Sequence, residues 1–373
     1  MTNTLLVGSS AGMLNIAHKI KKYGHNLYVL GGISSDPCHA IADQSLIVNY
    51  QKTQECLDVT KDLPLDFVVP GSNDIAFATA SEIADQHGIR TFDNNSVLYS
   101  LHNKTGFREL LLDLGISQPI KLDISREDKI NDFLKNNKIL VKPELSFSGK
   151  GISIVESIDE FYTAKNLASS YSRNSQILLE EFVEGQLFST SIFLKEKKCI
   201  ASIFSNEFCN INPFAVDSSF TPSDLSEKTQ NDIICSVEKI ARHLELKDGL
   251  IHIQFILGGD SKIYFIECMR RLIGDFFGQK ICHAYNYDYY DNYLRPYIGM
   301  SVSPLTQVNG IKKTYRDVLG YKDKTQMVSI SFDCDITPIE YIPLTKSGDF
   351  LNIYPKDKAG ILFYTRDTKG QNS

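Results

Sequence analysis

VKPELSFSGKGI occupies residues 141–152 and combines glycines and serines with two lysines. This composition is typical of a phosphate-binding loop, and two designs are open. The P-loop requires G-x-x-x-x-G-K-[ST] at the start of a helix. Here Gly151 follows Gly149-Lys150 where Ser or Thr is required, the upstream glycine is missing, and GISIVES (151–157) reads as a strand. The stretch therefore predicts a flap between two strands that closes over phosphates with backbone N–H groups and a lysine.

The bulk composition is that of a soluble protein with more than one domain. A chain of 373 residues exceeds one ordinary core and predicts two or three domains. The net charge of −6 disfavours a nucleic-acid partner, and the absence of an apolar run of 18 residues disfavours a membrane span. The eight cysteines include no C-x-x-C pair, so we expect reduced thiols, a cytoplasmic location and no zinc site.

The first hundred residues alternate between strand and helix patterns. The strand segments are TLLVG (4–8), NLYVLGG (26–32) and DFVVPGSND (66–74). Between the first two lies an amphipathic helix, MLNIAHKIKKYG (13–24). This alternation predicts a doubly wound parallel α/β domain. An NAD(P) site at the first turn is disfavoured, because Ser10 takes the place of the second glycine of G-x-G-x-x-G.

After residue 98 the pattern changes to α+β. Residues 99–115 read as one helix, and short strands follow after Pro119. A helix at about 226–246 precedes a hairpin, LIHIQFILGGDSKIYFIECM (250–269). The run HAYNYDYYDNYL (283–294) predicts an amphipathic helix with its rings in the core, and residues 301–373 predict strands.

The hairpin carries a candidate metal site. An even-length loop at Gly258-Gly259-Asp260 places even positions of the first strand opposite odd positions of the second, so Gln254 and Glu267 share a face. An amide oxygen beside a carboxylate suits Mg²⁺, with Mn²⁺ as an alternative. Arg271, after Arg270, is then a candidate contact for phosphate or carboxylate.

Each candidate residue also has an ordinary structural explanation when taken alone. Lys104 fits a solvated helix position, Lys142 a strand edge, and Gln254 with Glu267 a cross-strand polar pair on a wet face. Their order along the chain, around a flap, favours the functional interpretation.

Four segments in this order resemble the ATP-grasp superfamily of ligases. HNKTGFRELLLDLGISQP (102–119) resembles the D-K-x-x-x-R segment, and VKPELSFSGKGI resembles the flap. ILLEEFVEG (177–185) resembles the adenine-contacting hinge, and QFILGGDSKIYFIECMRRLIGD (254–275) resembles the metal-binding hairpin with its E-x-N-P-R box. The resemblance is strong over residues 100–280.

The resemblance implies a role for each candidate. Lys104 and Lys142 would bind ATP phosphates beneath the flap, Gln254 and Glu267 would bind Mg²⁺, and Arg271 would stabilise the transferring phosphoryl group. The flap candidates are Ser146, Ser148, Gly149 and Gly151. The adenine candidates are Glu180, Glu181 and the backbone of Phe182 and Val183. A Gln–Glu metal pair is also similar to that of carbamoyl-phosphate synthetases.

Two positions depart from the family pattern. Leu187 stands where a glutamate often contacts the ribose, and Met269 stands where an asparagine is a further metal ligand. The resemblance therefore leaves open a non-catalytic ATP-binding relative with a regulatory or assembly role. A biotin-dependent carboxylase shares the same core, but no biotin-carrier segment is evident.

The implied architecture begins with an N-terminal α/β domain (1–98). Two α+β subdomains follow and clasp ATP between them: a lid (99–184) and a metal-binding subdomain (185–300). A strand-rich extension (301–373) completes the chain as given. The implied reaction is an ATP-dependent ligation in which a small carboxylate becomes an acyl phosphate and joins an amine, releasing ADP and phosphate. The expected partners are therefore small-molecule carboxylate and amine substrates. A homo-oligomer is left open.

Overall fold

The computed structural model describes residues 2–144, 149–172, 174–306, 310–332 and 335–366. Within these residues the α-helices are α1 (Leu14–Lys22), α2 (Pro37–Ile41), α3 (Thr53–Thr60), α4 (Asp74–Gln86), α5 (Asn95–His102), α6 (Lys104–Asp113), α7 (Glu127–Leu134), α8 (Ile158–Tyr171), α9 (Glu227–His243), α10 (Phe277–Tyr285) and α11 (Tyr289–Leu294). None of these helices is both long and apolar enough to cross a membrane.

The strands of the same residues form four sheets. They are β1 (Asn3–Val7), β2 (Asn26–Gly31), β3 (Gln44–Ile47), β4 (Phe67–Pro70), β5 (Lys121–Leu122), β6 (Ile139–Pro143), β7 (Ser153–Val155), β8 (Ile177–Glu181), β9 (Gly185–Lys195), β10 (Lys198–Phe208), β11 (Ser218–Thr221), β12 (Gly249–Gly258), β13 (Ile263–Met269), β14 (Thr314–Leu319), β15 (Thr325–Gln326), β16 (Ile336–Pro343), β17 (Phe350–Leu351) and β18 (Gly360–Arg366).

The N-terminal sheet is parallel, with strand order β3-β2-β1-β4. Leu5, Leu6 and Val7 of β1 are fully buried, as expected for a parallel strand that is covered on both faces. The predicted parallel α/β arrangement of this region is confirmed.

Two antiparallel sheets build the remainder. A four-stranded sheet, β5-β8-β6-β7, carries the flap between β6 and β7. An eight-stranded sheet has the order β13-β12-β9-β10-β11-β14-β18-β16, and β15 with β17 forms a separate pair. Strands from the 301–373 region therefore continue the sheet that carries the β12–β13 hairpin, and the predicted α+β character is confirmed.

The single helix predicted over residues 99–115 is wrong, because the chain forms α5 and α6 with Asn103 between them. Asn103 has an extended backbone, and its side chain accepts a hydrogen bond from the Gly106 N–H at 3.0 Å. This is the geometry of an N-cap, which begins a new helix. Lys104 thus lies at the first position of α6.

The tyrosine-rich segment 283–294 packs into the core as predicted, although it divides between α10 and α11. Tyr289 and Tyr293 are 0% and 1% exposed. These rings join the hydrophobic cluster that also contains β1, β2 and β4. The N-terminal sheet therefore shares one core with α10 and α11.

Candidate functional site

Glu180, near the end of β8, lies at the centre of a buried charge cluster. Its carboxylate contacts the Arg108 guanidinium at 2.6 Å and the Lys142 ammonium at 2.5 Å. Burial raises the pKa of Glu180, but Lys142 and Arg108 outweigh that effect, and the pKa lies below its ordinary value. Burial lowers the pKa of Lys142 to about 8, against the opposing effect of Glu180. The cluster places two cations around one anion at the predicted phosphate site.

The contact between the Glu180 side chain and adenine stays a prediction. One carboxylate oxygen accepts from Arg108 and the other faces Lys142, and the side chain is 1% exposed. Each carboxylate oxygen can accept more than one hydrogen bond, and Oε2 already faces both Lys142 and Arg108. In this structure Glu180 holds Lys142 and Arg108 in place.

Arg108 links three elements and was not among the predicted site residues. Besides Glu180, its guanidinium donates to the carbonyl oxygens of Phe265 at 3.2 Å and Ile266 at 2.9 Å. The side chain thus ties α6 to β8 and to the β12–β13 hairpin. The K-x-x-x-R spacing of Lys104 and Arg108, one helical turn, was the available sequence signal.

The hairpin pairs Gln254 directly with Glu267, as predicted. That prediction assumed a loop with an even number of residues, and this assumption is wrong. Leu257 pairs with Ile263 and Phe255 with Phe265, so odd positions face odd positions, as they do across a loop with an odd number of residues. A β-bulge at Ile266 then shifts the register by one residue and turns Glu267 to the face of Gln254. The Ile266 carbonyl oxygen at this bulge accepts from Arg108.

The Gln254 amide is oriented by a second carboxylate. Its Nε2 donates to Glu207 Oε2 at 2.6 Å, which leaves the amide oxygen for another partner. Gln254 and Glu267 are both partly exposed, so an ion from solvent can reach them. Among the described residues, no group of three or more His, Cys, Asp or Glu side chains is arranged to hold a metal. A cation here would take its other ligands from phosphate and water.

Met269 and His252 pair across the same hairpin and are both buried. The His252 Nδ1 lies 2.9 Å from Ser191 Oγ, and burial lowers the pKa of His252 to about 3. His252 lies two residues before Gln254 on the same strand face, and it is a neutral core residue. Met269 offers no oxygen to a metal at the family's asparagine position.

Arg271 reaches the N-terminal domain. Its guanidinium contacts the Asp74 carboxylate at two points, Nε to Oδ1 at 2.6 Å and Nη2 to Oδ2 at 3.1 Å, and donates to the Ser72 carbonyl oxygen at 3.2 Å. Burial opposes ionisation of Asp74, but Arg271 lowers its pKa to about 2. The loop at 70–74 therefore meets the β12–β13 hairpin end.

The flap turn approaches the eight-stranded sheet closely. Gly149 and Gly151 have φ of +67° and +74°, which favours glycine. A Cβ at Gly149 would lie 2.4 Å from the Phe214 carbonyl oxygen, in the β10–β11 connection. Ser146 and Ser148 lie outside the described residues. Beneath the flap, Lys104 Nζ donates to the Glu144 carbonyl oxygen at 3.4 Å, and its charge contributes to lowering the Lys142 pKa.

The hinge after β8 lines a cleft of about 580 Å³. The hinge residues in its wall are Glu181, Phe182 and Val183, opposite the turn at Gly258–Asp260. The Phe182 N–H donates to the Lys138 carbonyl oxygen at 3.0 Å. An adenine in this cleft would therefore meet the Phe182 carbonyl and the Val183 backbone, and that contact stays a prediction.

Comparisons with known proteins agree with this geometry. Residues 135–279 match the model of the ATP-grasp domain. A relative is the formate-dependent phosphoribosylglycinamide formyltransferase of Prochlorococcus marinus (strain MIT 9515), 23% identical over 274 residues, which cover 70% of this chain and 67% of that protein.

Solved structures of the same fold cover nearly the whole chain. Phosphoribosylglycinamide synthetase from Anaerococcus prevotii superposes with a TM-score of 0.75 at 17% identity, covering 99% of this chain and 95% of that one. L-amino acid ligase from Bacillus licheniformis superposes with a TM-score of 0.78 at 14% identity, covering 99% and 94%. Residues 135–279 are thus an ATP-grasp domain, and the chain as a whole has the fold of the ATP-grasp ligases.

Proposed function

We propose that the protein is an ATP-dependent ligase that activates a small carboxylate as an acyl phosphate and joins it to an amine, releasing ADP and phosphate. The observation that carries the proposal is the bulged hairpin, which pairs Gln254 directly with Glu267 across the two strands. Relatives and structural neighbours whose names describe amide-forming or formyl-transferring enzymes support the same reaction class.

The cations of the site would bind and orient the phosphates of ATP. Lys142 offers a buried ammonium, and Lys104 offers a second one from the start of α6. Arg271 would leave part of its contact with Asp74 to meet charge on the transferring phosphoryl group. Positioning and neutralisation of charge are the main contributions that a protein makes to phosphoryl transfer.

The donor set fits Mg²⁺ or Mn²⁺, because one amide oxygen and one carboxylate are hard oxygen ligands. Gln254 and Glu267 would hold the ion, which when bound neutralises phosphate charge. Closure of the flap against the Phe214 loop would exclude water from the acyl phosphate.

The seven cysteines among the described residues are free, which supports a cytoplasmic location.

The test is phosphate release with Mg·ATP and a panel of amino acids, singly and in pairs, with mass analysis of the product. We expect release that requires one particular pair and yields its condensed product. Glu267→Gln should abolish release, whereas the matched exposed variant Glu227→Gln should retain it. Full ATP turnover by folded Glu267→Gln would contradict the proposal. Tight ATP binding without turnover for any carboxylate would support the non-catalytic alternative, which Leu187 and Met269 left open.

A further inference from the structure

Glu207, near the end of β10, is a buried carboxylate beside the candidate metal ligand Gln254. The residue is 2% exposed, and its Oε2 accepts a hydrogen bond from Gln254 Nε2 at 2.6 Å. A carboxylate that is buried to this extent is out of reach of a substrate. Any effect of Glu207 on the site therefore passes through the Gln254 side chain.

Two buried cations lie near Glu207. Ser219 is the direct cross-strand partner of Glu207, and the Lys280 ammonium donates to Ser219 Oγ at 2.9 Å. The Arg316 guanidinium lies 3.5 Å from the same oxygen. The Phe277 ring lies against the ammonium of Lys280, with its centroid 3.9 Å from Nζ. These contacts hold both positive charges close to the carboxylate, inside the protein.

The three charges act on one another. Burial raises the pKa of Glu207, and the charges of Lys280 and Arg316 oppose that rise. Burial lowers the pKa of Lys280, and the charge of Glu207 opposes that fall. A buried charge is tolerated when opposite charges and hydrogen bonds surround it. The two cations therefore help to keep an anion next to Gln254.

The orientation of the Gln254 amide decides which of its atoms faces an ion. An amide has an oxygen on one side and an NH₂ group on the other, and Mg²⁺ or Mn²⁺ binds the oxygen. An ionised carboxylate accepts hydrogen bonds and donates none, so Glu207 stabilises the orientation in which the NH₂ group points towards it. The reverse orientation would bring the amide oxygen against the carboxylate. A glutamate at position 254 would need no such partner, because its two oxygens are equivalent.

We propose that Glu207 is a positioning residue, which holds the amide oxygen of Gln254 towards the metal ion. Lys280 and Arg316 are the countercharges that keep this carboxylate in place. The inference rests on the proposed function for the presence of a metal–nucleotide complex. It links the metal site to α10 and to β14, a strand of the 301–373 region.

The test measures ADP binding by calorimetry, once with saturating Mn²⁺ and once with EDTA. The ratio of the two affinities, which we call the metal enhancement, reports the ion at its site and requires no turnover. In Glu207→Gln, the introduced amide can donate an N–H to the Gln254 oxygen and turn that side chain around. The metal enhancement should therefore fall about tenfold or more, as is typical when the partner of a metal ligand is removed. The ADP affinity in EDTA should stay unchanged.

A second background separates orientation from charge. Gln254→Glu supplies a metal ligand with two equivalent oxygens and no N–H for Glu207 to accept. In that background Glu207→Gln restores a hydrogen bond, now donated to position 254, so the metal enhancement should change by about twofold or less. An effect through charge alone would weaken metal binding equally in both backgrounds.

The matched control is Asp217→Asn. Asp217 is a buried carboxylate just before β11, and it accepts from Asn210 and from the Ile211 N–H rather than from Gln254. This variant should keep the metal enhancement of wild type.

Three results would overturn the proposal: no metal enhancement in wild type, no loss of it in Glu207→Gln, or equal losses in the two backgrounds. If Glu207→Gln alone fails to fold, the double variant is compared with Gln254→Glu, and a loss of about tenfold there would overturn it. The expected pattern in a protein that releases no phosphate with any substrate pair would support the positioning role and count against the ligase function.

Discussion

Lys142 is a buried amine whose neighbours favour opposite protonation states. Burial and the charges of Arg108 and Lys104 favour the neutral amine, whereas Glu180 favours the ammonium. The balance places its pKa near 8, within reach of ordinary buffers. Phosphate would add negative charge beside Lys142 and therefore binds better to the protonated form.

ATP affinity should consequently fall as the pH rises through about 8. Below this pH Lys142 is already protonated, and above it binding must take up a proton, so the dissociation constant should rise by up to about tenfold per pH unit. Calorimetric titration between pH 7 and 9.5 measures the effect. Arginine stays protonated over this range, so Lys142→Arg should give a flatter profile. Identical profiles for the two proteins would contradict the assignment.

At the scale of elements, the hairpin shows what a sequence pattern can and cannot supply. The predicted pairing of Gln254 with Glu267 is correct, but for another reason: the loop has an odd number of residues, and a bulge that the sequence did not reveal restores the pairing. The bulge is held by Arg108, a residue 158 positions away from Ile266 in the chain. Local patterns contain no information about such a contact.

The flap offers the element-scale prediction. Gly149→Ala places a Cβ against the Phe214 carbonyl oxygen and forces alanine into a left-handed conformation, so the closed flap should lose about 1–2 kcal/mol or more. If closure accompanies nucleotide binding, the ATP dissociation constant should rise about tenfold, as measured by calorimetry.

The matched control is Gly24→Ala, at φ +79° with no atom within 4 Å of its Cβ. It imposes a similar backbone strain far from the flap and should leave ATP affinity unchanged. Equal affinities for the two variants would show that the close approach at Phe214 has no part in binding.

At the scale of the whole molecule, the N-terminal domain is joined to the ATP-grasp region by charge as well as by its shared core. Arg270 contacts Asp93 at 2.9 Å with both side chains almost fully buried, whereas Arg271 contacts a half-exposed Asp74. The sequence did not predict the two arginine contacts, because their partners lie in a distant part of the chain and belong to no motif.

The two contacts should differ in their effect on stability. Asp93→Asn leaves Arg270 buried without a carboxylate and should lower the free energy of unfolding by about 3–5 kcal/mol. Asp74→Asn removes a half-exposed carboxylate from an arginine that is 13% exposed, so the loss should be smaller, about 1 kcal/mol. Urea unfolding followed by far-UV circular dichroism compares them directly. Similar losses of unfolding free energy in both variants would mean that burial does not decide how much each contact contributes to stability.

The order of strands in the eight-stranded sheet affects how the chain can fold while it is being translated. β11 lies between β10 and β14, and β14 comes almost a hundred residues later in the chain. While the ribosome is still making that interval, the nascent chain has one side of β11 without its partner, and such an edge readily pairs with other chains. Chaperone protection during translation would matter most in this window, and a truncation before residue 314 would leave the edge open permanently.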